Sequence, residues 1–332
     1  MYNFVSLRVS SPTKAHIIAG LLFTLTGAVL FSMKAVIAKL IYRHSDISVV
    51  SLLTLRMLFS LPFYLLMLVR SYPVHRKNIK AKDDSRSVMY RNYLLQCFVI
   101  GLLGYYISSF LDFSGLKYLS AGLERIILFS YPTFTVLFGA IIYKTRIKKY
   151  QLFALLVSYI GVAIAFAGDI KSGHSTHLVL GSLLIFGCAI TYSLYVLLSG
   201  KMIQRLGVSY FTSICMLSAT AGVFVHFLFS EHNIDLLLHH TPKLYLQVLL
   251  MAVFATVVPS IFLALGLKRI GSNNVAIISS VGPIATILQA YWMLGEKFGM
   301  LQVIGTLLVI GGVLIIGLRA QKEKTAFVSV SE

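Results

Sequence analysis

The sequence predicts an all-α polytopic membrane protein with ten transmembrane helices, built as two inverted five-helix repeats with both termini cytoplasmic. Three observations predict this fold class: an apolar composition, ten apolar stretches of membrane-spanning length, and a match of the chain with itself. Of its 332 residues, 58% are hydrophobic and 12% are charged, and the mean hydropathy is +0.85. Soluble and disordered chains need far more polar surface, so the composition excludes both classes.

The predicted spans are apolar stretches bounded by charged residues or by clusters of Gly, Pro and Asn. Each is close to the roughly 20 residues that cross the hydrocarbon core as a helix. The connections are short, so consecutive helices are antiparallel neighbours in one bundle. The longest polar stretch, Arg70 to Arg91, is predicted to be a loop. In chain order the spans cover residues 17–40, 47–69, 92–114, 121–143, 149–168, 178–200, 208–230, 244–267, 271–294 and 299–318.

The distribution of positive charge predicts the orientation of the chain. When alternate connections are assigned to opposite sides, the side that holds both termini has 20 of the 29 Lys and Arg residues, and the other side has 6. Cytoplasmic loops are enriched in Lys and Arg, so both termini are predicted to be cytoplasmic. The same bias accounts for the net charge of +18, so the charge does not call for a nucleic-acid partner.

The chain also contains an internal repeat. An offset of 151 residues matches 13 of 54 positions without a gap, starting from Gly115 against Gly266 and including Pro132 against Pro283. The repeat predicts two units, residues 1–170 and residues 171–332 with a short cytoplasmic tail. Each unit has five spans, an odd number, so the second enters the membrane from the opposite side. Inverted repeats of this kind are typical of secondary transporters, with the substrate site between the halves.

Several stretches carry a family resemblance that covers residues 15–320. They are Ser120–Pro132, Asn273–Pro283, Leu294–Glu296 and the glycine-rich Gly305–Gly317. With them the chain resembles the drug/metabolite transporter superfamily, in particular its EamA-type ten-span members. The resemblance implies a central cavity built from spans 1 to 4 and 6 to 9, with spans 5 and 10 at the periphery.

Two positions depart from the pattern of that family. Phe31-Ser32 stands in the first span where many members have Trp-Gly, and Lys144-Thr145 replaces an acidic residue after the fourth span. If the first-span Trp contacts substrate in related proteins, that contact does not transfer to this chain.

Ionisable residues inside the spans are the first candidates for a transport site. A central Lys or Arg costs about 2.5–3.5 kcal/mol on insertion scales, so each needs a partner or a function. Lys34, Arg56 and Glu124 are predicted to bind substrate in one half of a shared cavity, with Glu124 as the proton-coupling candidate. The alternatives are a structural pair of Lys34 with Asp112 or Glu124, a structural anchor at Arg56, and a fixed ion pair at Glu124. Adjacent helical residues point in different directions, so Arg125 is predicted to pair with another span than Glu124.

Aromatic and polar side chains complete the predicted substrate site. Such faces suit a small amphipathic organic solute, and core packing is the alternative for each tyrosine. The remaining predicted substrate-binding residues are Tyr131, Tyr192, Tyr195, Ser279 and Gln289. Pro132 and Pro283 fall mid-span at equivalent positions of the two repeats, where a proline frees a carbonyl and lets a helix bend. Both are predicted to act as hinges.

These features predict a secondary active transporter of small organic metabolites, preferably amino acids or related amphoteric solutes, that works by alternating access in the cell (inner) membrane. Export is the direction that the resemblance implies. The expected partners are a small-molecule substrate, the lipid bilayer and protons as a candidate coupling ion, with the chain a monomer or homodimer. The sequence has no catalytic motif, nucleotide-binding loop or metal-ligand spacing, so no enzyme activity, cofactor or metal is expected. The alternatives are an importer of a nucleotide-like or cofactor-like metabolite, a membrane receptor, and an intramembrane enzyme.

Overall fold

The structure is a computed structural model that describes residues 14–79, 84–144, 147–171, 177–279 and 281–330. The predicted repeat boundary, between residues 170 and 171, lies just before the gap at residues 172–176. All regular elements within the described ranges are helical. The α-helices are α1 (Lys14–His44), α2 (Val49–Ile79), α3 (Asp84–Gly101), α4 (Ser108–Leu116), α5 (Ala121–Leu128), α6 (Tyr131–Tyr143), α7 (Lys149–Lys171), α8 (Leu178–Leu206), α9 (Val208–Ser230), α10 (Pro242–Ala252), α11 (Val258–Ser279), α12 (Gly282–Leu294) and α13 (Met300–Val330).

Within the described ranges, eight helical stretches are long and apolar enough to cross a membrane, and Met300–Ile315 is a shorter apolar helix. The eight stretches overlap the first eight predicted spans. Helices are expected here because a helix satisfies its own backbone hydrogen bonds in lipid. The chain is therefore a polytopic membrane protein whose described ranges are all-helical.

The polar stretch from Arg70 to Arg91 is not the loop that the sequence predicts. α2 continues to Ile79 and α3 begins at Asp84, which leaves only residues 80–83 outside the described helices. Extending a helix that already exists avoids the cost of nucleation, so a polar sequence can continue it beyond the bilayer. For the same reason α13 continues past the predicted span end at residue 318, and the tail is helical to Val330.

Pro132 and Pro283 each lie just after an interruption of a predicted span, the fourth and the ninth. Each proline is the second residue of a helix, α6 or α12, where its missing N–H removes no helical hydrogen bond. The break in the fourth span lies at residues 129–130, between α5 and α6. A hinge function at these helix starts stays a prediction.

α11 turns back on itself where the eighth and ninth spans are predicted to meet. A Cβ atom built on Gly266 would lie 3.4 Å from Cγ2 of Val275. Nine residues of straight α-helix extend about 13.5 Å, so the helical backbone must turn a tight corner between these two residues. The predicted break between residues 267 and 271 lies inside this corner.

Element boundaries recur with the 151-residue offset at which the sequence matches itself. Short π-helical segments that begin at Leu102 and Val253 join α3 to α4 and α10 to α11. α6 and α12 cover equivalent residues, and α7 and α13 begin at equivalent residues. The equivalent residues Lys144 and Gly295 end α6 and α12 in the left-handed conformation, with φ of 53° and 64°. The halves of the chain thus share local structure as well as sequence.

The two halves of the chain interlock. The most extensive helix contacts (α7 with α13, α1 with α11, α2 with α9, and α4 with α8) each join the first half to the second. At one end of the bundle Glu296 contacts Ala121, and at the other Gly20 packs against Arg269. We name these the Glu296 end and the Arg269 end. Side chains that lie between the two halves are therefore positioned by helices from both halves.

Small residues let α7 and α13 approach very closely. A Cβ atom built on Gly305 would lie 2.5 Å from the carbonyl oxygen of Gly161 and 2.8 Å from Cβ of Ala165. Glycine at such a crossing allows backbone contact between membrane helices. Gly161 on α7 and Gly305 on α13 are thus used for contact within the chain.

We expect Gly305→Ala to lower the apparent melting temperature of the purified protein, because overpacking costs about 1–3 kcal/mol. Gly311→Ala is the matched control on the same helix, since a Cβ built there meets nothing within 4 Å. The control should be neutral or slightly stabilising, because Ala is the better helix former. Equal melting temperatures for the two variants would contradict the α7–α13 contact.

Candidate functional site

Five charged side chains from the first half of the chain lie buried inside the bundle. They are Lys34 on α1, Arg56 on α2, Asp112 on α4, and Glu124 and Arg125 on α5, and none is more than 8% exposed. We name these five residues the charge cluster. Such a concentration of ionisable groups within membrane spans is rare, and each member must be neutralised by a neighbour.

Lys34 and Asp112 form a close ion pair. Nζ of Lys34 donates to Oδ2 of Asp112 at 2.5 Å, so the pair joins α1 to α4. The rings of Phe31 and Phe113 lie 5.4 and 5.7 Å from the ammonium nitrogen, which adds cation–π attraction. The structure therefore holds Lys34 on Asp112, one of the two partners that the sequence suggests.

The two arginines of the cluster point to different neighbours. Arg56 donates from Nη2 to Oγ of Ser109 at 3.1 Å, and its guanidinium lies 4.8 Å from the ring centre of Phe113. Arg125 donates from Nε to Oγ1 of Thr286 at 3.0 Å and from Nη2 to the carbonyl of Phe31 at 3.3 Å. Arg125 thus connects α5 to α1 and to α12 of the other half.

Glu124 faces Asp112. Ser120 caps α5 by accepting the N–H of Leu123 at 3.1 Å, which places Glu124 in the first turn of the helix. The carboxyl groups of Glu124 and Asp112 lie close enough to interact electrostatically. Neither Glu124 oxygen receives an N–H from the described residues, and Oδ1 of Asp112 receives none either. Glu124 and Arg125 therefore have different partners, although they are adjacent in sequence.

A wall of tyrosines adjoins the charge cluster. The rings of Tyr131 and Tyr192 meet edge to face with centres 4.9 Å apart, and Tyr192 stacks on Tyr195 at 5.7 Å. Tyr195 also contacts Tyr105, with 3.0 Å between the two hydroxyl oxygens. Arg125 lies close enough to Tyr131 to interact with it electrostatically. Aromatic rings from both halves thus lie together, with Tyr131 near Arg125 of the cluster.

The predicted polar residues of the second half are more dispersed. Gln289 of α12 donates from Nε2 to the carbonyl of Val29 at 3.0 Å, and its Oε1 has no partner among the described residues. Ser279 is half-buried near the end of α11, and no described hydrogen bond joins it to the cluster. Ser32 makes the closer link between α1 and α12, since its Oγ donates to the carbonyl of Gly282 at 3.0 Å.

Sequence reasoning missed Tyr105 as a member of the tyrosine wall. Tyr105 lies in the π-helical segment Leu102–Ile107, and π turns are frequent at functional sites. Nothing in the local sequence marks this turn. The equivalent segment of the other half, Val253–Val257, is also π-helical, and its sequence does not mark the turn either.

Glu296 is a second residue whose position the sequence does not reveal. Its carboxylate is 5% exposed and accepts the N–H of Ala121 with both oxygens, at 3.2 and 3.1 Å, which caps the start of α5. Nη2 of Arg43 lies 3.7 Å from this carboxylate. Burial raises the pKa of the Glu296 carboxyl above its usual value, and the Ala121 N–H, Lys39 and Arg43 act against that shift. Glu296 therefore joins α1, α5 and the connection before α13 at this end of the bundle.

Comparison with known proteins finds transporters. The model of the EamA-like transporter family matches residues 18–167 and 179–318. An uncharacterized transporter of Bacillus subtilis (strain 168), YcbK, is 31% identical over 290 residues, which are 86% of this chain and 89% of the relative. Another from the same strain, YyaM, is 26% identical over 211 residues, 63% of this chain and 68% of the relative. A crystal structure with 17% identity has a TM-score of 0.60 over 92% of this chain and 98% of that one, which shows a shared fold.

Removing one partner of the buried ion pair should cost more than removing both. We expect Asp112→Ala to destabilise the protein by about 3–5 kcal/mol, because the Lys34 ammonium is left buried without its counter-charge. The double variant Lys34→Met, Asp112→Leu should recover most of the loss in a thermal unfolding assay. Equal stability of the single and double variants would contradict a direct pair.

Loss of the Glu296 carboxylate should weaken the start of α5. We expect Glu296→Ala to destabilise the protein by about 0.5–2 kcal/mol, the range for loss of a helix N-cap. Glu231→Ala is the control, because Glu231 ends α9 at the same end of the bundle but caps no helix start. Thermal unfolding of the two variants side by side measures the difference. If the Glu231 variant melted as low as the Glu296 variant, the capping role would be wrong.

Proposed function

Because the chain belongs to the EamA-like transporter family, as its sequence resemblance predicts, we propose that it is a secondary active transporter of small amphoteric metabolites, amino acids above all. The observation that carries the proposal is the charge cluster, which sets cations and carboxyl groups beside a tyrosine wall between the two halves. A zwitterionic solute with an apolar side chain complements each part of this surface. Export across the cell (inner) membrane follows from the family resemblance.

The proposed architecture has ten spans in two inverted repeats, residues 1–170 and 171–332. It is supported by the shared element boundaries at the 151-residue offset and by the reversal inside α11, which would separate spans 8 and 9. An inverted pair of halves offers two related arrangements about a site in the middle, which is the basis of alternating access. The excess of Lys and Arg on one side supports placing the Arg269 end and both termini in the cytoplasm.

The arginines are the best candidates for the carboxylate of the solute. Lys34 is already held by Asp112, whereas Nε of Arg56 has no hydrogen-bond partner among the described residues. A guanidinium has five N–H donors in a fixed fork that fits a carboxylate, and Arg125 uses two of its nitrogens for single contacts. In this proposal Lys34 neutralises the charge of Asp112 and does not bind solute directly.

The opposite group of the solute, its ammonium, would meet Glu124, whose oxygens have no described N–H donor. The side chain of the solute would then lie against Tyr131, Tyr192 and Tyr195, with Tyr105 behind them. Ser279 and Gln289 would contribute from the second half when the halves move. The helix starts at Pro132 and Pro283 are the proposed hinges for that movement, because each follows a break at which the backbone can change direction.

The proposal is tested by counterflow of a radiolabelled mixture of L-amino acids in proteoliposomes that contain the purified protein. We expect uptake above that of protein-free vesicles. Arg125→Gln should weaken apparent affinity about ten- to a hundred-fold, because a hydrogen bond to a charged group contributes about 1.5–3 kcal/mol. Arg205→Gln is the matched control, since Arg205 stacks on Tyr93 outside the cluster, with its guanidinium 4.5 Å from the ring centre. Absence of uptake by the wild-type protein would refute the amino-acid proposal.

A further inference from the structure

The two donors that Arg125 uses lie on one edge of its guanidinium. Nε donates to Oγ1 of Thr286 at 3.0 Å, and Nη2 donates to the carbonyl of Phe31 at 3.3 Å. A guanidinium holds its five N–H donors in one rigid plane, so fixing one edge also fixes the direction of the others. The adjacent edge, formed by Nη1 and the second N–H of Nη2, makes no hydrogen bond to a described residue.

The hydroxyl of Thr286 is oriented to accept from this arginine. Its Oγ1 donates to the carbonyl of Gly282, one turn earlier on α12, at 3.1 Å. A hydroxyl has a single proton, so its lone pairs are what remain for the Nε–H of Arg125. Thr286 is fully buried. The contact therefore needs a hydroxyl at this position, which serine would keep and valine would remove.

Hydrogen bonds on either side of Thr286 hold α12 against α1. Oγ of Ser32 donates to the carbonyl of Gly282 at 3.0 Å, and Nε2 of Gln289 donates to the carbonyl of Val29 at 3.0 Å. Gly282, Thr286 and Gln289 stand four and three residues apart, so they lie along one face of α12. The two acceptors of the arginine thus belong to one frame, made of a helix from each half.

We propose that Thr286 is a positioning residue for solute recognition, which holds Arg125 so that its Nη1–Nη2 edge meets the carboxylate of the solute. The inference rests on the proposed function, in which Arg125 binds that carboxylate. The solute accepts two parallel N–H bonds from Nη1 and Nη2 while Nε stays on Thr286. Thr286 belongs to the second half and Arg125 to the first. The arginine is therefore aimed at the solute only while α12 lies against α5, and separation of the two helices during transport weakens its hold.

This role makes Thr286 a determinant of the preference for a carboxylate over a neutral amide. A carboxylate has two acceptor oxygens that match the two N–H groups of the fork, whereas an amide has one oxygen and sets its own N–H donors against them. The ammonium and the side chain of the solute are bound elsewhere in the proposed site. Loss of the Thr286 hydroxyl should therefore weaken the binding of acids and spare the binding of their amides.

The test is competition against counterflow of the radiolabelled L-amino acid mixture, by unlabelled L-amino acids and by the corresponding L-amino acid amides. The acids should compete better than the amides in the wild type. Thr286→Val should weaken competition by the acids about tenfold, as expected when a hydrogen bond to a charged group is lost, and leave competition by the amides unchanged. Thr286→Ser should stay within about twofold of the wild type, because it keeps the acceptor.

An equal loss for acids and amides in Thr286→Val would show a merely structural role and overturn the inference, as would an unchanged preference for acids. Thr306→Val is the matched control, because Thr306 on α13 is also buried and donates to the carbonyl four residues earlier, at 2.7 Å. It should compete like the wild type with both sets of compounds. Absence of wild-type counterflow would instead refute the proposed function.

A double variant keeps the test valid if Thr286→Val does not fold, since Arg125→Gln removes the buried Nε that valine leaves without an acceptor. If Thr286 acts through Arg125, the two effects are not additive. Adding Thr286→Val to Arg125→Gln should then change competition by the acids less than about twofold. A further tenfold loss in the double variant would overturn the inference.

Discussion

The arrangement of the other charged groups inside the bundle depends on the ion pair of Lys34 and Asp112. It places opposite charges 2.5 Å apart, almost without solvent, in a chain whose surroundings are lipid and other helices. Neither charge can be left alone there, so α1 and α4 must stay together wherever else the bundle moves. The aromatic rings of Phe31 and Phe113 pack around the Lys34 ammonium. Glu124 lies near the carboxyl group of Asp112, which already pairs with Lys34. The unusual chemistry of the cluster follows from this one pair.

The way the halves interlock explains why such a cluster can serve transport. All five charges belong to the first half, yet Arg125 is anchored on Thr286 of the second, and the tyrosine wall combines rings of both. A relative movement of the halves therefore changes what surrounds the charges without separating Lys34 from Asp112. Glu296 holds the first turn of α5 from the other side, so the segment that carries Glu124 is fixed at the Glu296 end. The short helix α5 therefore takes part in the proposed solute binding, in the balance of buried charge and in the contact between the halves.

Apolar periodicity and charge predict the helices well, because the bilayer limits the chain to helices of a certain length. The first eight predicted spans are of this kind, and Asp112 is one of the two structural partners that the sequence suggests for Lys34. Interruptions are harder to predict: the break before Pro132 lies at residues 129–130, and the described residues of the polar stretch after Arg70 are helical. Contacts distant in sequence, such as Arg125 with Thr286 or Glu296 with Ala121, depend on how helices cross. The π turn that carries Tyr105 has no sequence signal at all.

The most direct measurement of the central claim is ligand-dependent thermal stabilisation of the purified protein, compared between the wild type and Glu124→Gln. A ligand that binds the native state raises its apparent melting temperature. The panel holds amino acids, nucleosides, cofactor precursors and polyamines. Our account predicts that amino acids stabilise the wild type selectively and that the shift is much smaller in a folded Glu124→Gln protein. Selective stabilisation by nucleosides or polyamines, or an equal shift in both proteins, would contradict it.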